Sequence, residues 1–216
     1  MTSWLLLQLV DGAFPSGGFA HSGGLEAALH LRGIGELEPF VDEVLWQTAR
    51  SALPFVRRAA EAPLELARLD DLFDATQASH VANRASRAQG RALAGAACRV
   101  FEREAILAIG EHARNRGPAH HAPIFGALFG TLAIGVRDTQ VAWLHGVLRG
   151  VLSAAVRLGL VGPLEAQQIQ STRVTVLEDI LASCMQIDAA DAAQTAPLLE
   201  LFGALHERLD GRLFQS

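Results

Sequence analysis

The sequence contains no lysine and no tyrosine, and all 18 of its basic residues are arginine. Without lysine there is no Schiff-base chemistry and no lysine-dependent phosphate loop. Arginine in its place favours planar, multidentate contacts with carboxylates and carbonyls. Only two cysteines occur, Cys98 and Cys184, far apart in the chain. They form neither a disulfide framework nor a cysteine-based zinc site, and the pattern suits a reducing, cytoplasmic compartment. Strand signals are scarce, with no bounded alternation and no Asn-Gly hairpin. Basic charge is in deficit, 18 residues against 23 acidic ones for a net charge of −5. Bulk binding to nucleic acid is therefore disfavoured. Long hydrophobic runs are lacking too. The most membrane-like one, "APIFGALFGTLAIGV" at 122–136, has 15 residues, short of the roughly 20 that a helical span needs. It reads as a buried helix, and no membrane partner is expected. The first residues, "MTSWLLLQLVDGAFPSGG", carry no basic n-region, and Gln8 and Asp11 interrupt the apolar run, so no signal peptide is expected.

What is present is apolar and helix-forming. Half of the 216 residues are hydrophobic, enough for one domain with a sizeable core. Apolar spacing and breakers predict helices near 3–11 and 22–32, and over 36–62 with a break near Pro54. Further helices are predicted over 63–78, 79–103, 121–135, 138–160 (capped by Asp138), 163–186 and 197–209. The expectation is an all-α, single-domain bundle of roughly eight to ten helices spanning 1–216. Residues 210–216 are expected to be a mobile C-terminal tail, having little to fold against in one chain.

Several stretches invite a chemical reading. "FPSGGFAHSGGLE", residues 14–26, holds four glycines between two apolar runs. A phosphate cradle would want a lysine and a preceding strand. A nucleophile turn on Ser22, reading "AHSGG" as a degenerate G-x-S-x-G, would want a strand and a sheet. The simpler reading is a shaped connector: glycines supply φ > 0, Pro15 fixes the entry, and Ser22 caps the next helix. Phe19 and His21 then decide what the connector packs against. His120 and His121 are adjacent, so on a helix their side chains diverge, and His112, His145 and His206 each stand alone. No permanent metal ligand set is expected. The residues leave a transient role in metal passage open. In 79–103, Val81, Ala85, Ala88, Ala92 and Gly95/Ala96 form a stripe of small residues, predicted to be the face that another helix approaches. Arg84, Arg87 and Arg91 run beside it with few acids near, more than a solvated face requires, so partner contact is expected. His145, Arg149, Ser153 and Arg157 form a polar stripe along 138–160.

Five blocks, in order, resemble the UreF family of urease accessory proteins. They are "LLLQLVDGAFPSGGFAHSGGLEAAL", "NRASRAQGRAL", "HAPIFGALFGTLAIG", "VLSAAVRLGLVGPLEAQQI" and "APLLELFGALHERLDGRLFQS". Family members often carry Tyr where His21 stands, one ring with a polar tip replacing another. The resemblance implies an all-α, non-catalytic protein with no cofactor of its own. It implies a homodimer that binds the UreD/UreH accessory protein and recruits or regulates the UreG GTPase. Together these insert nickel into apo-urease, and nickel is not a permanent ligand of this chain. It also implies that His21 in the connector and Arg212 in the tail order the dimer and partner surface, and Gln89, Gly90 and Arg91 match its central motif. Phe19 and Ser22 in the connector and Arg84 and Arg87 in the central helix join them as candidate partner-binding residues. At the C-terminal end the same role falls to Glu207, Arg208, Arg212, Leu213 and Phe214. Burying Leu213 or Phe214 on docking would contribute about 1.5–3 kcal/mol each before ordering costs. Two alternatives are a small α-helical hydrolase using Ser22 and a helical regulator of an unrelated partner.

Overall fold

A computed structural model describes residues 4–15, 18, 21–31, 36–209 and 211–214. Among the described residues there are twelve α-helices and no strand. They are α1 (Trp4–Val10), α2 (Leu25–Leu31), α3 (Leu37–Ser51), α4 (Leu53–Glu61), α5 (Leu66–Thr76) and α6 (His80–Val100). Then come α7 (Glu104–Glu111), α8 (His121–Thr131), α9 (Val136–Arg157), α10 (Pro163–Thr172), α11 (Val174–Cys184) and α12 (Pro197–Leu205). The class is as expected, and the count exceeds eight to ten for identifiable reasons. The predicted 36–62 helix divides into α3 and α4 beside Pro54. The predicted 163–186 helix divides at Arg173, where no glycine or proline announces a break. The segment after 103, given no element in the sequence reading, forms α7 and a π-turn at His112–Arg116.

The apolar run that is too short for a membrane is α8, and it forms the centre of the bundle. Ile124, Ala127, Leu128 and Phe129 are fully buried, and α4, α5, α6, α7 and α9 pack around them. Among the described residues no helix is long and apolar enough to cross a membrane. Gly126 and Gly130 lie one turn apart against α4, where a methyl group would overlap the carbonyl oxygens of Val56 and Ala60. The backbones of α4 and α8 therefore meet closely because neither glycine carries a side chain.

Two local expectations change. The face by which α6 is approached is not the predicted alanine stripe, because Ala88 and Ala92 are exposed. The buried face is Val81, Gly90, Leu93, Ala94 and Ala97, and the tightest approach is at Gly90, under the Ala119 carbonyl. Asp138 does not cap α9; the helix starts at Val136, and Asp138 lies in its first turn. Ser79 caps α6 by accepting the Ala82 N–H at 3.3 Å, as N-cap serines do.

Candidate partner-binding site

The connector begins with an Asp11 side chain that accepts the Ala13 N–H at 2.8 Å and so ends α1. It ends with Gly23 and Gly24 at φ +64° and +85°, backbone conformations that favour glycine. Just before these glycines, Ser22 lies against α2 and His21 lines a cavity. Ser22 is buried, and its Oγ lies 3.5 Å from the Glu26 N–H, so the expected cap forms with long geometry. No strand precedes Ser22 among the described residues, and a nucleophile elbow needs one. Phe19 lies outside the described residues.

Glu26, in the first turn of α2, is 1% exposed. Its carboxylate accepts His206 Nε2 at 2.8 Å, the Leu213 N–H at 2.7 Å and the Phe214 N–H at 3.2 Å. Burial raises the Glu26 carboxyl, but the hydrogen bonds from Leu213, His206 and Phe214 outweigh it, so it titrates below the ordinary glutamate range. Phe214 is 5% exposed, with the Arg157 guanidinium 4.2 Å from its ring centroid. Leu213 beside it is 52% exposed. The segment 211–214, expected to be mobile, is thus seen here docked on α2 and α9. Sequence reasoning missed Glu26 because its partners are 187 and 188 residues away.

Between the connector, α6, α8, α9 and α12 lies a cavity of about 780 Å³. Connector residues His21 and Ser22, Gln89 of α6, His121 of α8, Ser153 of α9 and tail residue Phe214 all face it. The His121 ring packs on Trp143 and Phe125, with centroids 4.9 and 6.1 Å away. Burial lowers His121 to about 4, with the neighbouring charge of His21 adding to the shift. His21 is lowered as well, by burial and then by His206. Both imidazoles are therefore neutral at pH 7. Part of the polar stripe of α9 faces this region: Arg149 and Ser153 line the cavity, Arg149 donates to the Val10 carbonyl at 2.9 Å, and Arg157 covers Phe214. Among the described residues no three His, Cys, Asp or Glu side chains converge as a metal site.

The arginines of α6 divide. Arg84 pairs with Glu207, whose other oxygen meets His80 Nε2 at 3.0 Å. This ties α6 to the 3-10 turn His206–Arg208. Arg87 turns inward and donates to the Pro118 carbonyl at 3.0 Å. Arg91, Arg208 and Arg212 are exposed.

A second buried carboxylate also escaped the sequence reading. Asp70 of α5 is fully buried and accepts His112 Nε2 at 2.7 Å, the Ala119 N–H at 2.7 Å and the His120 N–H at 2.8 Å. It holds Ala119 at φ +64°, a left-handed conformation that alanine seldom adopts. One turn further along α5, Asp74 receives His120 Nε2 at 2.8 Å and Asn83 Nδ2 at 2.7 Å. These bonds, His120 first, hold the Asp74 carboxyl below its usual range. The pair His120 and His121, read as diverging, does diverge: one ring goes to Asp74 and the other to the cavity.

The family model for UreF matches residues 31–173. The chain is 40% identical to urease accessory protein F of Arabidopsis thaliana, covering 99% of this chain and 92% of the relative. It is 36% identical to urease accessory protein F of Oryza sativa subsp. japonica, covering 98% and 84%. With urease accessory protein UreF of Trichodesmium erythraeum it shares 27% identity over 97% and 94%. A family match over most of the chain, with full-length relatives above 30% identity, places this all-helical chain in the UreF family of urease accessory proteins.

Proposed function

We propose that this chain is a non-catalytic, cytoplasmic scaffold for urease maturation. In this reading it binds the UreD/UreH accessory protein, forms a homodimer in the complex, and recruits or regulates the UreG GTPase. The assembly delivers nickel to apo-urease, and this chain keeps no permanent nickel ligand or cofactor of its own. The observation that carries the reading, beyond family membership, is the meeting of α2 with residues 206–214 on one face. The Glu26 carboxylate bonds the tail, Glu207 bonds α6, and Arg208, Arg212 and Leu213 remain outward. Arginines beside an outward leucine suit a protein interface better than a solvated surface. Partner contact is assigned to this face: His21 and Ser22 shape its base, Arg84, Gln89 and Arg91 border it on α6, and Arg87 braces α6 from behind. Phe19 of the connector is kept as a partner-binding residue.

Reconstitution tests the reading. Apo-urease, nickel, GTP, UreD/UreH and UreG are combined with and without this protein. Activation should require it, and the protein alone should hydrolyse neither urea nor generic esters. Full activation without it would overturn the reading.

A further inference from the structure

Two carboxylates in this chain receive the same three donors. Asp70 takes a histidine Nε2 and the N–H groups of successive residues 119 and 120. Glu26 takes a histidine Nε2 and the N–H groups of successive residues 213 and 214. Convergent main-chain N–H groups bind an anion whatever side chains flank them, and a charged acceptor makes the bonds strong. The pattern therefore recognises a stretch of backbone. At Asp70 that backbone is an internal loop, fixed by helices on both sides. At Glu26 it is the segment 211–214, which follows the 3-10 turn His206–Arg208.

We propose that Glu26 is a built-in receptor for the C-terminal segment, setting its register so that Phe214 turns inward over the cavity and Leu213 faces a protein partner. The partner is the one assigned under Proposed function, and the proposal rests on that reading. Phe214 lies under the Arg157 guanidinium and lines the cavity. Leu213, next to it, is half exposed and follows an exposed Arg212. A slip of one residue would put a leucine under Arg157 and turn the phenylalanine out. The surface so presented fits an apolar pocket bordered by an acidic group. His206 supports the receptor: it is fully buried, holds the second carboxylate oxygen and sits at the end of α12. The carboxylate thereby joins α2, α12 and the tail in one unit.

The test is residue-resolved hydrogen exchange on the full-length chain, with capture of UreD/UreH measured in parallel. In Glu26→Gln, exchange at Leu213 and Phe214 should rise roughly tenfold to a hundredfold, the range for losing a hydrogen bond to a charged group. The α8 amides should keep their protection, and partner capture should fall in step with the tail. Leu213→Pro removes one donor without touching α2 and should free the Phe214 amide equally, which keeps the test usable if Glu26→Gln does not fold. Leu213→Ala keeps the donor, so it should leave Phe214 protected and still weaken capture. Unchanged Phe214 exchange in Glu26→Gln or Leu213→Pro overturns the receptor assignment. Tail release with undiminished capture overturns the presentation of Leu213. If the wild-type chain captures no partner while Phe214 protection still depends on Glu26, the scaffold reading falls and the receptor assignment stands.

Discussion

Asp70 and Glu26 receive the same three donors but hold different things. Asp70 fixes the loop between α7 and α8 in the interior, where Ala119 is held left-handed and Gly90 of α6 packs beneath it. Glu26 fixes residues 213 and 214, with half-exposed Leu213 at the edge. The same chemistry therefore serves as a permanent clamp in one place and as a dock in the other. What differs is the cost of letting go. Releasing the loop at Asp70 disturbs the helices on either side of it. Releasing the tail exposes Phe214 and little else, a local opening that leaves the bundle standing.

The comparison breaks if the two carboxylates prove energetically alike. Asp70→Ala should have the largest effect, about 3–5 kcal/mol lost in urea denaturation, because three buried donors lose their acceptor. A loss under about 1 kcal/mol would show that the clamp is unimportant. Acid should act next. His121 is lowered to about 4, and His21 and His120 are lowered too, burial being the first cause of each. The folded state thus binds fewer protons than the unfolded chain, so stability is full above about pH 6.5 and is lost as pH falls towards about 4. For His121 alone the effect is of order 2–3 kcal/mol. The Glu26 carboxyl is held below the ordinary glutamate range by its hydrogen bonds, so core stability should begin to decline before the tail is released. His121→Phe should flatten the pH profile; an unchanged profile would contradict the assignment. Gly90→Ala should cost about 1–3 kcal/mol, since a methyl group there overlaps the Ala119 carbonyl.

Tail substitutions should come last. Phe214→Ala cannot cost more than the docking free energy of the tail, beyond which the tail detaches and the bundle is unaffected. A loss of about 1 kcal/mol is expected, well below the 3–5 kcal/mol typical of a core phenylalanine. Arg157→Ala should cost about 0.5–1 kcal/mol of that docking, the scale of an exposed cation–π contact, read as faster exchange at Phe214. A core-sized loss from Phe214→Ala would erase the distinction between clamp and dock.

How much of this was readable from residues follows the range of each interaction. Apart from α7, the helices and most of their limits were legible, because Pro54, Gly117–Pro118 and Gly162–Pro163 break local structure wherever they occur. The burial of α8 was legible from its unbroken apolar run. The approach face of α6 was not. Alanine suits either face of a helix, and it was the Ala119 carbonyl, brought in from 29 residues beyond Gly90, that chose Gly90. The division at Arg173 was hidden because an ion pair to Asp42, at 2.7 Å, marks it in place of a breaker. Both carboxylate centres were invisible for the same reason: His112 is 42 residues from Asp70, and Leu213 is 187 from Glu26. The glycines of 14–26 are visible in the sequence for what they are, while Glu26 at the end of the same stretch shows its binding role only once the distant tail is folded against it.

The most direct measurement is capture of UreD/UreH by the full-length chain and by a chain ending at Gly211, with far-UV circular dichroism and thermal melting recorded on both. The account predicts that the shortened chain keeps its helicity and melts within a few degrees of the parent, yet captures no partner. A shortened chain that binds UreD/UreH as tightly as the parent would contradict it.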